Sequence, residues 1–295
     1  MPRATGDSSR HTLGASHTVT LRDGRQIRLR RKGNGGPTVV FESGIGVGGA
    51  IWGLVAPVVS ERATAVVYDR AGMGLSDEDD APRTLDRVTD DLAEVLDTLD
   101  GPFVLVGTSW GGPIIRNLAM RREFDVRGLV LVDQTDENAP ALLTPKTELQ
   151  LAWTSQLTMA LARTGLYRLT ARIGRDLPPD VYADLRNDFT VRGARVVASE
   201  NREVVPGLRR LLRRRRCRLD GIAVSVITGT RANRFERSIR RALNSAHRAT
   251  ASGLADARLV EAAHSGHYVM FSEPDVIVTE IARLVETVQG PPSAR

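Results

Sequence analysis

The chain has 295 residues, 41% of them hydrophobic and 26% charged, with a formal net charge of +6. That length holds one large globular domain with room for an insertion, and the composition is that of an ordinary globular protein, which argues against wholesale disorder. The positive charge is nearly all arginine, since Lys32 and Lys146 are the only lysines; with no nucleic-acid motif of interleaved basic and aromatic residues, it reads as solvated surface, not a nucleic-acid site.

Residues 1–16 are small and polar and are expected to form a loose tail, as are residues 290–295. Thr18–Arg22 and Gln26–Arg31 flank Asp23-Gly24, a hairpin signal. Thr38–Phe41 and Thr64–Tyr68 are short apolar runs with strand character, the second ending at Asp69-Arg70-Ala71-Gly72-Met73-Gly74. Leu85, Val88, Leu92, Val95, Leu96 and Leu99 share one helical face, which predicts an amphipathic helix over 84–99. A strand at Phe103–Val106, a helix at Trp110–Arg122 and a strand at Gly128–Val132 follow. Two more strands are expected at Ile222–Ile227 and Arg258–Val260. Glu273-Pro274 then opens a last helix with proline in its first turn.

Strands alternating with helices after a hairpin imply an α/β fold: a mostly parallel central sheet with helices on both faces. Residues 134–220 break the alternation. They carry helical patterns at Leu149–Leu166 and Asp180–Asp188, interrupted by Pro140, Pro145 and Pro178-Pro179. Such an insertion at the carboxyl end of the sheet is expected to be a helical lid. The core is then 17–133 and 221–289. Trp153, Leu157, Met159, Leu161 and Leu166 supply the lid's apolar material, mostly for packing it onto the core. The run Arg209–Arg216 reads as a solvated helix face.

Cys217 is the only cysteine, so no internal disulfide can form and a reducing compartment suits the chain. No stretch approaches the roughly 18–20 continuous apolar residues of a membrane span. No apolar segment follows Arg3 and Arg10, so no secretory signal is expected and the chain is read as cytoplasmic. Neither a metal nor an organic cofactor is expected; the Gly44, Gly46, Gly48, Gly49 series lacks the spacing of a dinucleotide loop.

The sharpest chemical signal is Gly107-x-Ser109-x-Gly111, between an apolar strand and a helix. In that context the serine stands on a tight elbow at a strand's carboxyl end, and the small flanking residues let strand and helix approach. The backbone N–H of the next residue, Trp110, is presented there by the helix N-terminus. A serine hydroxyl needs a general base, and histidine has a suitable pKa. The chain offers His11, His17, His247, His264 and His267. The first two precede the core, and His247 in its arginine-rich stretch is expected at the surface.

Glu42-Ser43-Gly44-Ile45-Gly46, Tyr68-Asp69-Arg70, the serine elbow, Leu129–Asp133 and Gly266-His267-Tyr268 occur in order, each after its own strand. Together they resemble the α/β-hydrolase superfamily over residues 17–288. The resemblance implies Ser109 as nucleophile, His267 rather than His264 as base, and the backbone N–H groups of Ile45 and Trp110 as the oxyanion hole. It leaves the acid less defined. No aspartate follows the strand ending near Ile227, the commoner position. The other superfamily position, the end of the strand after the nucleophile's helix, is Asp133, with Glu236 and Asp136 as alternatives. The expected activity is hydrolysis of an ester-type small molecule with an apolar acyl group, through an acyl-serine. Acyl transfer, perhydrolysis or C–C hydrolysis by the same intermediate, and a non-catalytic binding role, are the alternatives.

Overall fold

A computed structural model of the chain describes residues 11–214, 219–234 and 236–289. Cys217, Arg215, Arg216 and residues 290–295 lie outside the described residues. So do residues 1–10 of the expected tail. Residues 11–16 belong to the folded body instead: Leu13 is buried, and Thr12 donates from its N–H and its hydroxyl to Asp180 at 2.6 and 2.9 Å.

The described strands are β1 (Ala15–Thr20), β2 (Gln26–Lys32), β3 (Thr38–Glu42), β4 (Thr64–Tyr68), β5 (Phe103–Thr108), β6 (Val126–Val132), β7 (Ala223–Gly229) and β8 (Ala257–Ala262). They form one sheet in the order β1-β2-β4-β3-β5-β6-β7-β8. The hairpin β1–β2 turns at Asp23-Gly24 as expected, and β2 also pairs antiparallel with β4. Every later pairing is parallel. The central strands β3, β4 and β5 are buried along their whole length, which is why they read as continuous apolar runs.

The helices are α1 (Ala56–Val59), α2 (Leu85–Leu96), α3 (Gly111–Ala119), α4 (Pro145–Arg163), α5 (Pro179–Asp188), α6 (Val191–Arg213), α7 (Arg237–Ser252), α8 (Val269–Ser272) and α9 (Pro274–Gln289). Alternate strand residues feed two cores. Val104, Val106, Val130 and Val132 face α1 and α9, while Leu105, Leu129 and Leu131 face α2 and α3. Helix α2 begins where Thr84 accepts the N–H of Arg87 at 3.1 Å and presents the predicted leucine and valine face inward. No helix among the described residues is long and apolar enough to cross a membrane.

Between β6 and β7 the described chain holds no strand. Helices α4, α5 and α6, with a 3-10 segment Leu166–Gly174, fill the interval. The insertion packs onto the sheet through Tyr167, Val181, Leu185 and Phe189 on one side and Val204, Leu208 and Leu211 on the other. Its apolar residues divide differently from expectation. Met159 and Leu161 are partly buried against the core, but Trp153, Leu157 and Leu166 are exposed. The reason is that α4 turns small residues inward: Ser155 and Ala162 are its buried positions, and Ser155 Oγ accepts from Asn201 of α6 at 3.0 Å. Within the arginine run, Arg209 pairs with Glu148 at 3.0 Å and Arg210 with Asp86, as a solvated helix face would.

Helix α9 closes one core. Its fully buried Leu284 lies over Gly128 of β6, where a Cβ would come within 3.0 Å of Leu284 Cδ1. Leu284→Ala is expected to cost about 2–5 kcal/mol, the range for emptying a buried leucine site that cannot fully collapse. Urea unfolding followed by circular dichroism measures it.

Candidate active site

Ser109 stands at the end of β5 with φ +52°. Its N–H donates to Val132 O at 3.1 Å, and its carbonyl accepts from Gly112 at 3.2 Å and Thr135 at 2.9 Å. The turn is tight enough to require its glycines. A Cβ on Gly107 would lie 2.6 Å from the Gly111 carbonyl oxygen, and one on Gly111 the same distance from Glu42 O. The strand-to-helix elbow read from the sequence is therefore the observed local structure.

One strand over, Asp133 directly follows β6 with φ +41° and donates its N–H to Ile227 O at 2.8 Å. Its carboxylate is fully buried and fully engaged. Oδ2 meets Nδ1 of His267 at 2.7 Å, while Oδ1 accepts from Gly229 N–H at 3.0 Å and from Arg240 Nη1 at 2.5 Å. Burial pushes this carboxyl up, but the bonds and charges of His267 and Arg240 outweigh it and hold the pKa below the ordinary 3.8. Of the alternative acids, Glu236 is exposed and accepts from Asn233 N–H at 3.4 Å. Asp136 is buried among Gln134, Asn138 and Thr250. Neither has a hydrogen bond to His267 among the described residues.

His267 follows β8, with its side chain 39% exposed. His264 is exposed, its N–H bonded to Glu273 at 2.9 Å. His247, expected at the surface, is buried instead. Its ring nitrogens meet Thr228 Oγ1 and Gln134 O, each at 2.8 Å, so the arginine-rich helix α7 uses this residue to pin itself to the ends of β6 and β7. Among the described residues no hydrogen bond joins Ser109 Oγ to His267, a contact often loose before substrate arrives. Both side chains open on one cavity of about 250 Å³. Its wall is mainly apolar, with Ile45, Ile51, Ile173, Leu185, Phe189 and Met270.

The loop after β3 lies directly against Ser109. A Cβ on Gly44 would sit 3.2 Å from Ser109 Cβ, and Ile45 lines the cavity. What holds this loop was not legible in the sequence. Arg70 donates to Ser43 O at 2.7 Å and Gly44 O at 2.5 Å, and Gly46 N–H donates to Glu200 of α6 at 3.2 Å. Glu200 pairs with both Arg70 and Arg83 at 2.9 Å, and Arg70 also pairs with Glu42; all four side chains are buried. Burial raises the Glu200 carboxyl, but the two guanidinium groups prevail and hold it below its ordinary value. Asp69 accepts from Gly49 N–H at 2.9 Å, in keeping with turn chemistry. Arg70 stood within a recognisable turn motif, but nothing in the spacing of α6 marks Glu200, and nothing in α7 marks Arg240.

A sheet of this order, a serine elbow after its fifth strand and a histidine after its eighth define the α/β-hydrolase architecture. The chain belongs to the alpha/beta hydrolase family, whose sequence model matches residues 39–280. It is 34% identical over 105 residues to the uncharacterized protein YqjL of Bacillus subtilis, covering 35% of this chain and 42% of that protein. It is 38% identical over 109 residues to the lipase LipV of Mycobacterium tuberculosis, covering 36% and 41%. The chain thus aligns with less than half the length of each of these relatives. The fold is similar to that of a thermophilic esterase from Thermogutta terrifontis, with TM-score 0.73 and 16% identity over 94% of this chain and 100% of that one.

A carboxyl with a lower pKa in the folded than in the unfolded chain adds stability above the unfolded value; that stability drains as pH falls through it toward the folded value. Arg240→Met removes part of what lowers Asp133. The variant is expected to be less stable than the parent near neutral pH, with the gap closing as pH drops below the ordinary 3.8. Thermal melts from about pH 7 down to about pH 3 measure the gap. A constant gap would show that Arg240 does not act through the carboxylate.

Proposed function

We propose that the chain is a serine hydrolase of ester-type small molecules, working through an acyl-serine intermediate with Ser109, His267 and Asp133 as its triad. The observation that carries this reading is the 2.7 Å contact between Asp133 Oδ2 and His267 Nδ1 at the edge of a cavity that His267 shares with Ser109. Asp133 fixes the histidine tautomer with Nδ1 protonated, which leaves Nε2 free to take the Ser109 proton. Oγ then attacks the substrate carbonyl carbon. The tetrahedral oxygen receives the N–H groups of Trp110 and Ile45, donors set before the charge develops. Collapse expels the alcohol, protonated by His267, and water activated by the same base releases the acid.

The apolar wall favours a small or medium apolar acyl group, since polar acyl chains would lose hydration there without compensation. Residues 134–220 act as the lid in this reading, supported by Tyr167, Ile173, Leu185 and Phe189 of that segment, which line the cavity. The relative named as a lipase and the neighbour described as an esterase point the same way. A serine rather than an aspartate on the elbow supports acyl chemistry over displacement at an alkyl carbon.

A fluorophosphonate probe followed by peptide mass spectrometry tests the nucleophile and base. Ser109 is expected to be labelled in folded protein, with labelling lost in His267→Ala. Equal labelling of both proteins would sink the triad. On p-nitrophenyl esters of graded acyl length, Asp133→Asn is expected to lower kcat by about 10⁴-fold, as loss of a triad acid does elsewhere. Retention of most activity would remove Asp133 from the role.

A further inference from the structure

The outer face of α4 carries an exposed apolar stripe. Leu149, Trp153 and Leu157 are 60%, 69% and 61% exposed. They are spaced four residues apart, so at 3.6 residues per turn they fall within an arc of about 80° and form one ridge. The following 3-10 segment adds Leu166 and Leu169, 53% and 51% exposed. Exposed large apolar groups scattered singly are ordinary on a protein surface, but a contiguous ridge with a tryptophan at its centre is not.

The charges around the ridge are one-sided. Between residues 145 and 175 the sequence has five basic residues, Lys146, Arg163, Arg168, Arg172 and Arg175, against one acid, Glu148. All five basic residues are exposed. Glu148 is already paired with Arg209 at 3.0 Å. Among the five, only Arg175 has an acidic partner within the described residues, Asp176 at 3.8 Å. The same turn of α4 that places the ridge also places Lys146 on its face.

We propose that this face of α4 and the adjoining 3-10 segment docks on an anionic lipid surface. A helix lying in the plane of a bilayer buries leucine and tryptophan at the headgroup boundary and keeps arginine and lysine among the anionic headgroups. A second copy of the chain is a poorer occupant. A two-fold contact through this face would set its unpaired basic residues against themselves. The docked segment also borders the cavity, since Tyr167, Thr170 and Ile173 of the 3-10 stretch line it. Docking would therefore bring one wall of the cavity close to the lipid boundary, whatever reaction runs inside.

The tryptophans make the test direct. Trp52 and Trp110 are fully buried, so a fluorescence change on docking reports Trp153. The full chain is mixed with phosphatidylcholine vesicles with and without about 30% phosphatidylglycerol, and binding is read by emission shift and co-sedimentation. Expected are a blue shift and at least tenfold stronger sedimentation on the anionic vesicles, weakened by added salt. The double variant Trp153→Ser/Leu157→Ser keeps every charge and the buried packing of the chain; it is expected to lose most of the sedimentation with an unchanged thermal melt. Three results would overturn the assignment: no binding, equal binding to both vesicle types, or undiminished binding by the double variant. A blue shift that grows with protein concentration without vesicles, together with a dimer mass by light scattering, would assign the ridge to self-association instead.

Discussion

The site rests on one backbone constraint. Two neighbouring parallel strands, β5 and β6, are each followed directly by a non-glycine residue forced into the left-handed region, Ser109 and Asp133. Such conformations cost on the order of 1–3 kcal/mol each and persist only where surrounding bonds over-determine them. Here the bonds are explicit. Ser109 is clamped to Val132 and Thr135, and Asp133 to Ile227. The sheet thus lends rigidity to two side chains that must leave it, and the histidine after β8 has a fixed acid to meet.

A second layer of organisation is electrostatic. The glycine-rich loop after β3 cannot hold its own shape, because glycines leave it conformational freedom and few side chains. A buried set of charges does it instead, with Arg70 on the loop's carbonyls and Glu200 on a loop N–H. Burying these charges is tolerable because two acids meet two arginines with hydrogen bonds to spare. Since Glu200 belongs to α6 of the insertion, the insertion and the loop beside Ser109 are mechanically one piece. Gly207 of α6 adds to this by allowing close approach to the Trp110 ring, 2.7 Å from where its Cβ would stand.

Much of this was legible before any coordinates. The buried runs Thr38–Phe41, Thr64–Tyr68 and Phe103–Val106 read as strands because parallel strands covered on both faces cannot alternate with polar residues. The leucine and valine spacing of α2 read as a helix for the same kind of reason. Ser109 was legible through its glycines, and Asp133 through its place directly after an apolar strand, where an unpaired carboxylate would be costly. His247 escapes sequence reading because the exposed arginines of α7, Arg237, Arg241 and Arg248, dominate the local pattern, while His247 lies on the buried side with Arg240, Ala246, Thr250 and Ala251. Trp153 and Leu157 were misassigned to packing because apolar identity alone does not say which side of a helix faces the core.

The sequence by itself determined the order of elements, the elbow with Ser109 at its tip, and the short list of candidate acids and bases. These are local properties: turn sterics, burial periodicity and the chemistry of side chains at strand ends. Tertiary structure alone decided which acid meets His267, that Arg240 shares it, that Glu200 reaches the loop from 154 residues away, and that α4 turns its ridge outward. Those outcomes depend on distances between segments remote in the chain, set by how helices settle on the sheet, and no local pattern encodes them.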